Sequence, residues 1–165
     1  MPQVLPYNRE NAVAYAHQWA FGRNPRYDDF EALGGDCTNF ISQCLLAGGG
    51  RMNFEPVYGW YYVNLNRRSA SWTGVEYLYN FLTRTKATTG PFVTKTEISE
   101  MVPGDIIQLR FDGAAFTHSL LVVAVSEPVP SGILISTHTY DSDIRALDTY
   151  YYTEARFLHI EGVRG

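Results

Sequence analysis

The sequence predicts an α+β domain in which N-terminal helices pack on a small antiparallel β-sheet. Three observations predict it. Apolar residues fall at helical spacing in three stretches of the first half. From residue 103 onward, apolar runs of four to eight residues are separated by Pro, Gly and Asp turn signals. Helices come first and strands after, the order of an α+β domain.

Residues 8–21 form the first predicted helix. Asn8 can cap it, Ala12, Ala16 and Trp19 share a side, as do Val13, Ala16 and Ala20, and Gly22 and Pro25 end it. Residues 37–47 form the second, with Asp36 as N-cap, an apolar stripe of Phe40, Ile41, Cys44 and Leu45, and Gly48-Gly49-Gly50 as the stop. Residues 73–84 form the third, with Val75, Leu78, Phe81 and Leu82 on one side. Pro103-Gly104-Asp105 then turns the chain into Ile106-Ile107-Gln108-Leu109. His118–Val125 is nearly all apolar, Ser126–Gly132 connects it to Ile133–His138, and Arg156–Val163 is the last strand. No repeat or linker interrupts the 165 residues, so residues 1–165 are expected to form one domain with a real core.

Composition narrows the function classes. With 45% apolar and 18% charged residues the chain reads as globular. A net charge of −4, with no basic cluster beyond Arg67-Arg68, speaks against a nucleic-acid partner. No apolar run approaches the roughly 18 residues of a membrane helix. The N-terminus, Met1-Pro-Gln-Val-Leu-Pro, lacks a basic region followed by an apolar stretch. The expectation is therefore either a cytoplasmic chain or a domain of a longer exported protein. Tyr and Trp are abundant and suit binding grooves and cores alike.

Two cysteines remain, seven positions apart. On one helix their Cα atoms would stand roughly 10 Å apart along the axis, beyond the reach of a disulfide. Cys37 lies in Gly34-Gly35-Asp36-Cys37-Thr38-Asn39-Phe40, directly before the second helical pattern. A thiol in the first turn of a helix meets unpaired N–H groups and the positive end of the macrodipole, which favour a thiolate. The same amides can hold a developing oxyanion. Cys44 sits two turns later on the apolar stripe and reads as core packing.

His118 heads the apolar run Ser119–Val125, where an imidazole can face the thiol and take its proton. His138 ends the next run, so a hairpin brings it beside His118, where it can orient that ring. Asp141 is the alternative orienter. His17 and His159 read as structural. Cys37, His118 and His138 could instead bind zinc, but no Cys-x-x-Cys or His-Glu-x-x-His accompanies them. No metal or cofactor is expected.

These blocks resemble a known family. Gly34-Gly35-Asp36-Cys37-Thr38-Asn39-Phe40-Ile41-Ser42-Gln43-Cys44-Leu45 is similar to the signature of the putative amidase domain family, a relative of the NlpC and CHAP cell-wall peptidases in the papain-like group. Tyr7-Asn8-Arg9, Trp60-Tyr61-Tyr62, Ser71-Trp72, Thr117-His118-Ser119 and Thr137-His138-Thr139 resemble its other blocks. The resemblance implies a papain-like fold with the nucleophile at a helix N-terminus, and Cys37, His118 and His138 as catalytic residues. In the NlpC relatives a tyrosine upstream of the cysteine helps shape the oxyanion site, and Tyr27 is its candidate here. Asp36, Trp60 and Trp72 complete the oxyanion and substrate candidates. The expected activity is cysteine-dependent hydrolysis of an amide in a peptide or peptidoglycan-derived substrate, at the cell envelope or outside the cell. The alternatives are an acyl transferase using the same residues and a non-catalytic wall-binding module. The sequence leaves the oligomeric state open.

Overall fold

The structure, a computed structural model, describes residues 3–165. Asn8, in extended backbone, accepts from the Asn11 N–H at 3.0 Å and opens α1 (Arg9–Trp19). The second helix, α2 (Cys37–Ala47), buries its first nine residues without interruption. It stops at the glycines: the Gly48 N–H donates to the Cys44 carbonyl, and Gly49 takes a φ of 94° that a side chain would resist. The third predicted helix is two. Gly74 is extended (φ −111°, ψ 130°) and separates α3 (Ala70–Thr73) from α4 (Val75–Leu82).

Among the described residues, nine strands follow from the apolar runs and from segments the pattern did not mark. They are β1 (Val4–Leu5), β2 (Tyr62–Asn64), β3 (Arg67–Arg68), β4 (Gly90–Thr96), β5 (Ile106–Arg110), β6 (Phe116–Val125), β7 (Ile133–Thr137), β8 (Ser142–Ala146) and β9 (Glu154–Arg164). β2 and β3 form a separate hairpin, and the other seven make one antiparallel sheet in the order β1-β9-β5-β6-β7-β8. β4 pairs with β9 along its other edge, from Gly90↔Arg164 to Thr96↔Phe157. β4 and β8 escaped the sequence reading because both are half-exposed and carry charged and hydroxyl residues where an apolar run would have shown them.

Strand alternation sorts side chains into two cores. Ile106, Leu121, Val123, Leu158 and Ile160 face the helices and pack on Phe40, Ile41, Cys44 and Leu45 of α2 and on Leu78 and Leu82 of α4. Ile107, Leu109, Leu120, Val122, Ile133 and Ile135 face the other way, against Met101 and Leu147. Helices packed on one face of an antiparallel sheet is the architecture expected. β6 is buried on both faces, as its unbroken apolar run implies.

One buried polar chain crosses the helix-facing core. Thr38 Oγ1 and Ser119 Oγ lie 3.1 Å apart, Gln108 Nε2 donates to Ser119 Oγ at 3.2 Å, and Arg156 Nη2 donates to Gln108 Oε1 at 2.6 Å and to Glu76 at 2.9 Å. It ties the first turn of α2 to the centre of the sheet.

Leu121→Ala should destabilise the protein by about 2–5 kcal/mol, because a fully buried leucine between α2 and the sheet leaves a cavity. Urea unfolding measures it, and a loss under 1 kcal/mol would contradict the packing described.

Candidate active site

The first residue of α2 is Cys37, and it is 6% exposed. Two glycines with φ of 107°, Gly34 and Gly35, turn the chain into it. Its sulfur lies 3.8 Å from Thr38 Oγ1, and the Ser119 main-chain N–H favours its thiolate. Burial nevertheless dominates and pushes the thiol above its ordinary range, with Asp36 adding to the rise. The expected lowering by the helix terminus is overridden: removing a thiolate from water costs more than one helix end returns.

His118 lies in β6, 7% exposed, on the sheet face of Leu120 and Val122. Its Nε2 is 3.5 Å from Thr137 Oγ1, at the outer edge of hydrogen bonding. Thr137 directs its own proton to main-chain carbonyls, Ser119 at 2.8 Å and His138 at 2.9 Å. Its lone pairs therefore favour a proton on Nε2 and leave Nδ1 as the basic nitrogen. Burial, with Arg145 second, lowers His118 to about 4. Cys37 and His118 thus rest as a neutral thiol and a neutral imidazole, not as the thiolate–imidazolium pair. Among the described residues no hydrogen bond joins Sγ to the ring. What connects them is the next residue on each: the Thr38–Ser119 hydroxyl contact.

His138 does not orient His118. Its Nε2 donates to the Trp19 carbonyl at 2.8 Å, its Nδ1 meets Asp36 Oδ2, and its ring stacks on Phe40 with centroids 4.1 Å apart. Strand parity is the reason. Leu121 pairs with Ser136 and Val122 with Ile135, so Thr137 shares the face of Ile135 and His118, while His138 shares the opposite face. Thr137 is the residue the sequence reading missed. Counting alternation from Ile133 and Ile135 would have selected it.

Asp141 is also engaged elsewhere. It pairs with Arg23 at 2.9 and 3.1 Å, and Arg23 also reaches Asp29 at 3.2 Å. Asp36 does not cap α2 through its side chain. Its Oδ1 accepts from the Phe30 N–H at 2.8 Å and from Asn39 Nδ2 at 2.9 Å, so the carboxylate faces the protein rather than a ligand. Trp60 and Trp72 are fully buried and cannot line a groove. Their ring nitrogens donate to Ser42 Oγ and Asn39 Oδ1. Tyr27 is half-buried and stacks on Trp72, with centroids 6.0 Å apart. His17 pairs with Asp143 at the end of the sheet and His159 bonds Asp105. Cys44 is fully buried, and both cysteines are free thiols.

A strained turn fixes the loop before Cys37. Thr139 and Tyr140, in the β7–β8 connection, have φ of 62° and 56°. Left-handed backbone is costly for a β-branched residue. In return Thr139 Oγ1 accepts from the Asp36 N–H at 3.3 Å and donates to Glu31 at 3.1 Å. Gly35 is bare where Thr139 approaches: a Cβ there would stand 3.2 Å from Thr139 Oγ1.

Residues 6–161 match the family described as "Putative amidase domain". The chain belongs to that family. Amide hydrolysis is the activity the family is named for. The chain is also 37% identical, over 96% of its length, to an uncharacterised Bacillus subtilis (strain 168) protein, YhbB. It spans about half of that relative, 51% of its length. No solved structure matches. Among the described residues no group of His, Cys, Asp and Glu could hold a metal ion, and no helix is long and apolar enough to cross a membrane.

His118 makes stability depend on pH. The unfolded chain binds its proton near pH 6.5, whereas the folded chain does not until about pH 4. Between these values the unfolded state holds more protons, so stability falls as pH falls, by about 3 kcal/mol in all. Melting temperatures from pH 7 to pH 4 should show the drop, and His118→Gln should flatten it. An equal slope in both proteins would contradict the assignment. His138→Ala should cost about 1–3 kcal/mol at pH 7, because Asp36 Oδ2 loses its hydrogen bond while Phe30, Asn39 and Arg23 Nε, 3.6 Å away, remain beside the carboxylate. A loss under 1 kcal/mol would mean that Asp36 re-pairs or is solvated.

Proposed function

We propose that this protein is a cysteine-dependent amide hydrolase, with Cys37 as nucleophile and His118 as general base. The observation that carries the reading is the thiol at the head of α2 held against the strand that bears the histidine, through the Thr38–Ser119 contact of 3.1 Å. Family membership supports the reaction class.

The reaction runs in two halves. As substrate enters, Cys37 Sγ attacks the carbonyl carbon and its proton passes to His118 Nδ1. The carbonyl electron pair moves to oxygen, where the first amides of α2 stabilise it. Collapse breaks the C–N bond, and the imidazolium protonates the leaving nitrogen. Water, deprotonated by His118, then attacks the thioester; the C–S bond breaks, the acid departs and the thiol is restored. Thr137 accepts from Nε2 and supports the imidazolium. A neutral resting pair fits this sequence, because charge separation then accompanies binding and the enclosed site excludes competing water.

Several finer points belong to the same proposal. The helix-borne cysteine followed by a strand-borne histidine supports kinship with the papain-like group, in one domain over residues 1–165. Peptidoglycan stem peptides are the proposed substrate class and the cell envelope the proposed location. Both rest on the resemblance to the NlpC and CHAP peptidases.

Iodoacetamide alkylation from pH 4 to pH 10 tests the nucleophile, with Cys37→Ala as background. Alkylation of Cys37 displaced to higher pH than that of a free cysteine, as its burial implies, and altered by His118→Ala is expected, together with release of new amino groups from peptidoglycan fragments. An ordinary thiol profile, unchanged by His118→Ala and without turnover, would favour the binding-module reading. Transfer of the acyl group to an added amine in place of water would identify an acyl transferase.

A further inference from the structure

The Tyr150 hydroxyl is a buried polar atom that the reaction above leaves unused. It has no hydrogen-bond partner among the described residues. Ser142 lies close enough to favour the Tyr150 phenolate, but it directs its own proton to the Tyr140 carbonyl at 2.8 Å. An unpaired buried hydroxyl costs about 1–3 kcal/mol, and such groups mark sites where a partner is expected.

The ring that carries it is fixed from two sides. It lies against His118, with centroids 5.7 Å apart, and Arg145 stacks on it at 3.8 Å. Arg145 is itself tethered, donating from Nε to Thr149 Oγ1 at 2.7 Å. Burial raises the affinity of the hydroxyl for its proton; Arg145 and Ser142 pull against that rise without cancelling it, and Cys37 adds to it. Tyr150 therefore remains an O–H donor, packed against the imidazole and within electrostatic range of the thiol.

We propose that Tyr150 is a further catalytic residue of this site, whose hydroxyl donates a hydrogen bond to the oxyanion formed when Cys37 attacks the carbonyl. The proposal rests on the Cys37 reading above. No proton is transferred in this contact. The C–S bond forms, the carbonyl π pair settles on oxygen, and the Tyr150 O–H and the α2 amides share that charge until the C–N bond breaks. The hydroxyl stays unpaired at rest because its acceptor exists only during reaction, which is the condition for stabilising a transition state more than a ground state.

Two reactions of the same thiol separate the roles. Acylation by p-nitrophenyl acetate passes through an oxyanion; alkylation by iodoacetamide does not. Tyr150→Phe keeps the ring on His118 and under Arg145. It should slow the one-equivalent burst of p-nitrophenolate about 100-fold, leave alkylation within about twofold, and leave Tm unchanged or raised, since an unpaired hydroxyl is removed. Equal effects on both reactions, or none on either, would overturn the donor role while leaving Cys37 as nucleophile. A wild-type burst no larger than that of Cys37→Ala would instead sink the Cys37 reading, and the Tyr150 role with it.

Discussion

The Asp36 carboxylate, buried and saturated, is the contact on which the site depends. Through Oδ1 it holds the Phe30 main chain and the Asn39 side chain, and through Oδ2 it meets His138. His138 passes the constraint on to the end of α1 through the Trp19 carbonyl and to the core through the Phe40 ring. One carboxylate thus joins the loop before Cys37, the first turn of α2, the C-terminus of α1 and the end of β7. A buried pair of this kind contributes little net stability compared with an apolar replacement. What it fixes is position: the residue next to Cys37 cannot rotate without breaking its bonds to Phe30, Asn39 and His138.

The β7–β8 turn works toward the same end at a local cost. Two non-glycine residues in left-handed backbone each cost on the order of 1–3 kcal/mol. Their reward is the Thr139 hydroxyl on the Asp36 N–H, seated over the bare Gly35. Left-handed non-glycine backbone also occurs at Val57 and at Ile144 within β8, where the pairing with β7 shifts register, but Thr139 and Tyr140 are the pair that faces the Cys37 loop.

Burial sets the chemistry of the resting site. It raises Cys37 and lowers His118, so both are uncharged when the site is closed. An open thiolate–imidazolium pair would be more reactive and less selective. In the proposed reaction the charge appears only with a carbonyl to receive it, and the groups assigned to that charge are the α2 amides, Thr137 and the Tyr150 hydroxyl.

Local chemistry determined much of this protein from the sequence alone. Gly-Gly-Asp before an apolar helical stripe is enough to set Cys37 at a helix start and Cys44 in the core, and an unbroken Val/Leu run is enough to make β6 a doubly covered strand with His118 near its start. These follow from spacing along the chain, which a sequence carries in full. The tertiary structure alone decided which groups meet. His138 and Asp36 are 102 residues apart, and their contact depends on register and strand parity. The same parity gives Thr137, and not His138, to His118. Trp60 and Trp72 read equally as groove or core until the helices close over them. The lone hydroxyl of Tyr150 has no sequence signature, because being unpaired is a property of surroundings contributed by distant segments.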